Sequence, residues 1–351
     1  MSRKTLSLAS VISLTATMGM AEAPQVAVDI APLHSLVARV MDGVGKPDLI
    51  ISAASSPHEY SLRPSEAAAI QDADLVFWIG SNLTPWLENA IETLAKDAVV
   101  TEFMELEDTV KLSFREGALF DAHDHDDHDG HDDHDEHDGH DDHDEHDGHD
   151  DHDGHDDHDE HDEHDDHDEH DGHDDHHGHD HSGHDPHAWL SPKNASIWLT
   201  VIAQKLAAVD PQNAEIYYEN AKAGQQQLND LSAEIESILA PVRGSNFIVF
   251  HDAYQYFEKD FDFYASGAIS LSDARDPSPG RIAEIQERIN SQSIACVLAE
   301  PQFNPNIVAT VAREASVNTG VIDPLGSGLE TGKDQYFGTL RNLAKALAAC
   351  L

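Results

Sequence analysis

Short apolar runs rich in Val, Ile and Phe alternate along most of this chain with longer stretches whose apolar positions recur every three or four residues. Runs of the first kind suit strands buried on both faces, stretches of the second suit amphipathic helices, and their alternation is the signature of parallel α/β units. In the first half the pattern predicts strands near Gln25–Ile30, Asp48–Ser52, Leu75–Ile79 and Ala98–Glu102, with helices starting near Leu33, Pro64, Pro85 and Pro192. In the second half strands fall near Asn246–Phe250, Phe263–Ile269, Ile294–Ala299 and Val317–Asp323, with helices between them. Between the halves, Pro211 to about Ala240 reads as one helix with Asp210 as its cap and Pro211 at its first position, stopped by Pro241 and Gly244. At 1.5 Å per residue it would run about 45 Å, with Gly224 as the point where it could break. The expected fold is α/β: two lobes, residues 24–210 and 242–351, each with a roughly four-stranded parallel sheet flanked by helices, joined by a long rigid helix at 211–241.

The pattern fails completely at residues 121–185. These 65 positions hold 33 Asp or Glu, 23 His, 7 Gly, one Ala and one Ser, so nothing in them can build a core. His125, His128, His131, His134, His137 and His140 open a series that falls at every third position through His176, and His179, His181 and His184 follow. Imidazole is the commonest protein ligand for zinc, nickel and copper, and the carboxylates add oxygen donors. The segment is therefore expected to be a disordered, accessory metal-binding loop of many weak sites. An acidic solvated spacer is the alternative reading, but it does not explain why 23 of the 27 histidines gather here. Charge follows the same division: of 68 acidic and 20 basic residues in the chain, 35 acidic residues remain outside the loop. No basic patch exists for nucleic acid or an anionic membrane surface, and cations are the natural partner.

Residues 1–23 read as an export signal: Arg3 and Lys4, a mostly apolar stretch from Leu6 to about Thr17, and small residues around Ala21 and Ala23. That stretch is too short to span a bilayer comfortably, although an uncleaved anchor is the competing reading. An exported protein meets an oxidising compartment, and Cys296 and Cys350 are the chain's two cysteines. They are read as one disulfide closing a 55-residue loop, worth up to roughly 4 kcal/mol by the chain-entropy model. A two-Cys metal site is the rival, though the spacing lacks any compact Cys-x-x-Cys.

In open parallel sheets, ligands bind beyond the carboxyl ends of the strands. Four metal-capable positions fall there or at the end of the His-rich loop. The strand Asp48–Ser52 runs into Ser55-Ser-Pro-His58-Glu59-Tyr60, Asn246–Phe250 ends in His251-Asp252, Val317–Ile322 ends in Asp323-Pro-Leu-Gly326, and Asp185-Pro-His187 lies where the fold resumes. Three histidines and a carboxylate can enclose a cation tetrahedrally. His34, the one further histidine outside the loop, is read as structural or at the rim of the site.

These segments, Ser56-Pro-His58-Glu59-Tyr-Ser-Leu-Arg-Pro-Ser, Asp185-Pro-His187-Ala-Trp-Leu-Ser-Pro, Phe250-His251-Asp-Ala-Tyr-Gln-Tyr-Phe and Ile322-Asp323-Pro-Leu-Gly, closely resemble the motifs of the zinc-binding (ZnuA-type) components of periplasmic ABC metal-import systems. The likeness runs in order across nearly the whole mature chain. It implies two α/β lobes joined by a rigid helix, one Zn²⁺ in the cleft between them, His58, His187 and His251 as the imidazole ligands, and Glu59, Asp323 or water in the fourth position. The paired cysteines also look like those of several zinc members. Manganese-carrying relatives typically have a carboxylate where His251 stands, and the softer imidazole moves preference toward zinc. The implied role is capture of Zn²⁺ in the periplasm and delivery to an inner-membrane ABC permease, by a protein of a kind that is usually monomeric and is not an enzyme. The rival functions are a periplasmic storage or chaperone protein in which the loop is the working part, import of another divalent metal such as manganese, and a zinc hydrolase. The last lacks a His-Glu-x-x-His helix, and Glu59 is its one evident general base.

Overall fold

A computed structural model describes residues 23–115, 117, 120, 183–270, 277–313 and 317–351. The segment expected to be an export signal, save residue 23, and the His-rich loop from residue 121 through residue 182 lie outside the described residues. The described residues fall in one compact unit built on two four-stranded sheets.

The first sheet holds β1 (Val26–Val28), β2 (Asp48–Leu49), β3 (Leu75–Trp78) and β4 (Val99–Glu102) in the order β2-β1-β3-β4, every pair parallel. The second repeats that order as β6-β5-β7-β8, with β5 (Phe247–His251), β6 (Ala268–Ser270), β7 (Cys296–Ala299) and β8 (Asn318–Val321), again all parallel. Central strands are buried on both faces, as their unbroken apolar runs require, while the edge strands β4 and β8 are largely exposed. In β5 the two-residue period divides the core. Phe247 and Val249 join the large core shared by both sheets, whereas Ile248 and Phe250 pack with Ile285, Ile289 and Val311 in a smaller cluster on the other face.

The helices are α1 (Ala31–Val40), α2 (Pro64–Gln71), α3 (Pro85–Leu94), α4 (Pro192–Val209), α5 (Ala214–Leu239), α6 (Gln255–Phe261), α7 (Pro279–Ser291), α8 (Pro305–Ala312) and α9 (Gln335–Cys350). Proline occupies the first turn of α1 to α4, α7 and α8, where its missing N–H costs no hydrogen bond. The predicted helix starts and the two-sheet α/β architecture agree with this arrangement. The strand expected at Phe263–Ile269 is confined to Ala268–Ser270. Phe257 and Phe261, one helical turn apart, make the preceding segment helical, Asp262 ends it in the left-handed conformation at φ 49°, and Phe263 stacks on Phe247 from the connection. No described helix is long and apolar enough to cross a membrane.

The helix expected over 211–240 divides into a 3₁₀ turn at Pro211–Asn213, α5, and a second 3₁₀ turn at Ala240–Val242. Asp210 does not cap a backbone N–H; its Oδ2 accepts from Asn213 Nδ2 at 2.7 Å and the Tyr217 hydroxyl at 2.8 Å. α5 runs unbroken for 26 residues, about 39 Å. Its buried stripe, Tyr217, Ala221, Gly224, Leu228, Leu231, Ile235 and Leu239, repeats every three or four positions and lies against α1 and α4 of the first sheet and α9 of the second. Gly224 does not break the helix. A Cβ there would come within 2.9 Å of Leu199 Cδ1 and 3.0 Å of Arg39 Cδ, so any side chain at this position would have to displace one of those neighbours. A disulfide between Cys296 on β7 and Cys350 at the end of α9 fastens the terminal helix to the second sheet. Replacing Gly224 by Leu should overpack this seam at roughly 1–3 kcal/mol, against a gain in helix propensity of about 1 kcal/mol. The urea midpoint is therefore expected to fall, and a midpoint at or above that of the parent would contradict the packing argument.

Candidate metal centre

His58 sits on the loop that follows β2. Pro57 before it is buried, and its carbonyl accepts from Trp86 Nε1 at 2.9 Å, so α3 holds the loop, while Tyr60 packs on the Trp86 ring. His187 precedes a 3₁₀ turn at Ala188–Leu190 whose Trp189 packs on the imidazole at 5.1 Å and donates Nε1–H to Pro324 O. His251 is the last residue of β5, flanked by Phe303 at 5.3 Å and Tyr254 at 6.2 Å.

These three imidazoles converge. One ring nitrogen from each lies within 4.8 Å of the others, and the Nε2 atoms of His187 and His251 are 3.4 Å apart. Two nitrogens at about 2.05 Å from a tetrahedral zinc stand about 3.3 Å apart, so that pair already has the required spacing. Any further closure falls to His58, which is on a loop and less buried than the other two. His187 is 5% exposed and His251 4%.

Each buried imidazole has a carboxylate behind it. His187 Nδ1 lies 2.7 Å from Asp185 Oδ1, and His251 Nδ1 lies 2.7 Å from Glu300 Oε1. A carboxylate accepting the Nδ1 proton fixes the tautomer that leaves the Nε2 lone pair pointing into the site. An imidazole binds metal in its neutral form, and these two acidic groups stand behind the rings of His187 and His251. Burial first, and then the neighbouring imidazoles, lower the His58 and His187 pKa values well below the usual imidazole range. Burial raises the Asp185 carboxyl to about 7 against hydrogen bonds from the His187 backbone and Gln255. At His58 and His187 burial thus opposes imidazolium, the form that cannot bind metal.

Arg115, close to the start of the His-rich loop, reaches Asp252 with Nε and Nη2 and Glu258 with Nη1. Burial works against the guanidinium charge, but Glu258 and Asp252 more than offset it and raise the Arg115 pKa. At the loop's other end, Asp185 N donates to Leu112 O and Tyr256 OH donates to Asp185 O. Leu112 N in turn donates to Tyr256 OH, so both ends of the loop are tied to α6 beside His251. His184 is exposed, forming a bridge with Ser113.

The two carboxylates proposed for a fourth position do not join the imidazole set among the described residues. Glu59 is exposed. Asp323 accepts from Leu325 N, Gly326 N and Gln302 Nε2 at Oδ1 and from Ser327 N and Oγ at Oδ2, which commits both oxygens to shaping its own loop. His34 is buried in α1 with Nε2 3.0 Å from Pro47 O, away from the set. Glu300 was missed by the sequence reading, although Ala299-Glu300-Pro301 ends β7 as Phe250-His251 ends β5. The strand-end rule applied to every carboxylate would have found it.

The family model for the periplasmic zinc-uptake complex component A, ZnuA, matches residues 26–350. The high-affinity zinc uptake system protein ZnuA of Brucella abortus is 46% identical over 326 residues, covering 93% of this chain and 91% of the relative. The chain belongs to the ZnuA family. The ZnuA of Paracoccus denitrificans is 40% identical across 99% of this chain and 97% of its own. A crystal structure of ZnuA superposes with a TM-score of 0.68 at 18% identity, covering 93% of this chain and 99% of that one, which places the described fold among ZnuA structures.

For the metal-free protein, titration of the imidazole carbon protons by NMR should give midpoints for His58 and His187 below the ordinary value of about 6.5. Midpoints at or above it would show that the carboxylates, and not burial, control the rings.

Proposed function

We propose that this chain captures one Zn²⁺ on His58, His187 and His251 and delivers it to the permease of an ABC importer. The observation that carries this reading is three buried or half-buried imidazoles converging on one point, two of them backed by carboxylates. Three converging imidazole nitrogens, two of them already at tetrahedral spacing, suit zinc; manganese favours oxygen ligands, which this set lacks. Copper would bind such donors at least as well, so selection also rests on which ions the compartment supplies. Family membership supports a solute-binding role, and its curated relatives are high-affinity zinc uptake proteins. Three imidazoles with an open position would also describe a catalytic zinc, but the functional reading favoured by the family is transport and not catalysis.

Residues 1–23 serve as the export signal in this account, and the mature chain works in the periplasm as a monomer. Its organisation is two lobes, 24–210 and 242–351, with 211–241 as the rigid connection. The packing of α5 against helices of both sheets supports limited movement of one sheet against the other. The His-rich loop would concentrate or buffer zinc close to the cleft, since the segments at both of its ends are fastened beside His251.

A bacterial strain lacking its zinc-binding import component, grown in chelator-depleted medium, separates import from storage. The chain without Asp124–His184 should restore growth, and His251→Ala in the full chain should not. Growth that depends on the loop and is indifferent to His251 would support storage in its place.

A further inference from the structure

The site as described provides three protein ligands, whereas zinc takes four. Gln302, two residues beyond Glu300, lines the same pocket as His58, His187 and His251. Its amide nitrogen is committed: Nε2 donates to Ala53 O at 3.1 Å and to Asp323 Oδ1 at 2.9 Å. Both partners are acceptors, so the chemistry settles which end of the amide is nitrogen and which is oxygen. The other end, Oε1, is buried and has no hydrogen-bond donor among the described residues. A buried amide oxygen left without a donor costs on the order of 1–3 kcal/mol, which points to a partner that arrives with the ligand.

From the geometry we infer that Gln302 is a positioning residue for the cargo: its Oε1 accepts a hydrogen bond from a water molecule that completes the zinc shell. An amide oxygen is a hard donor and a weak direct ligand for zinc, but a strong acceptor for the polarised O–H of a metal-bound water. The same side chain ties the loop carrying His58, through Ala53, to the loop shaped by Asp323. The acceptor is thereby held in register with a ligand from the first sheet and the end of the second. This also gives Asp323 a role without direct ligation: it orients the amide.

The inference rests on zinc occupying the three imidazoles, and one crystal structure of the zinc-loaded full chain tests the two separately. The expected result is zinc on His58, His187 and His251 with a non-protein oxygen bridging it to Gln302 Oε1. Zinc on the three imidazoles with Glu59 or Asp323 in the fourth position, or with Oε1 bonded directly to the metal, would overturn the inference and leave the transport site intact. Zinc elsewhere would overturn the site itself. Gln302→Met, which keeps the length and removes the acceptor, should weaken zinc binding by about tenfold or more, the usual effect of losing a group behind the ligands. A variant with a lowered unfolding midpoint in the metal-free state and zinc affinity within about twofold of the parent would mean that Gln302 only joins the two loops.

Discussion

Three imidazoles have to remain neutral while crowded around one point, and the rest of the molecule meets that requirement. At His58 and His187 burial disfavours imidazolium and neighbouring rings add to the effect, which suits metal binding but leaves rings free to rotate or choose the wrong tautomer. The carboxylates of Asp185 and Glu300 remove that freedom for His187 and His251. Trp189 and Phe303 close the sides, and Trp86 holds the loop of His58 through the carbonyl of Pro57. The result is a set of donors prepared before the cation arrives, so little ordering free energy is spent at the moment of binding.

The two sheets share one strand order but use equivalent positions differently. β1 is followed by Asp29, a buried carboxylate that accepts from the N–H groups of Ile30 and Ile79; burial raises it to about 7 against those bonds. β5, in the same place in the second sheet, ends in His251 and turns a ring toward the site. One strand end therefore stabilises its own loop, and the other presents a ligand. A site drawn from both sheets keeps its geometry only if they hold register, and this is where α5, Gly224 and the contacts of α9 connect local packing to metal affinity.

Much of this was legible in the sequence because it depends on short-range signals. Prolines at helix starts, unbroken apolar runs for central strands and histidines at the end of a strand or of the His-rich loop are local features, and they single out His58, His187 and His251, the three rings that the fold brings together. What was not legible depends on long-range placement. Asp323 reads as a ligand by residue type, yet five hydrogen bonds occupy its oxygens. Glu300 reaches the site through His251, 49 residues away in sequence, and Gln302 lines the same pocket while its amide bonds Ala53, 249 residues away. The aromatic run at Phe263 imitates a strand because an aromatic residue buried in a connection leaves the same trace in sequence as one in a sheet.

The central claim is that three imidazoles from the folded body, independent of the His-rich loop, form one tight zinc site. Calorimetric titration of zinc into the mature chain without Asp124–His184, alongside the same protein carrying His251→Ala, addresses it directly. The account predicts one tight site in the first and its loss in the second. Loss of all tight binding on removing the loop, or tight binding that survives without His251, would contradict it.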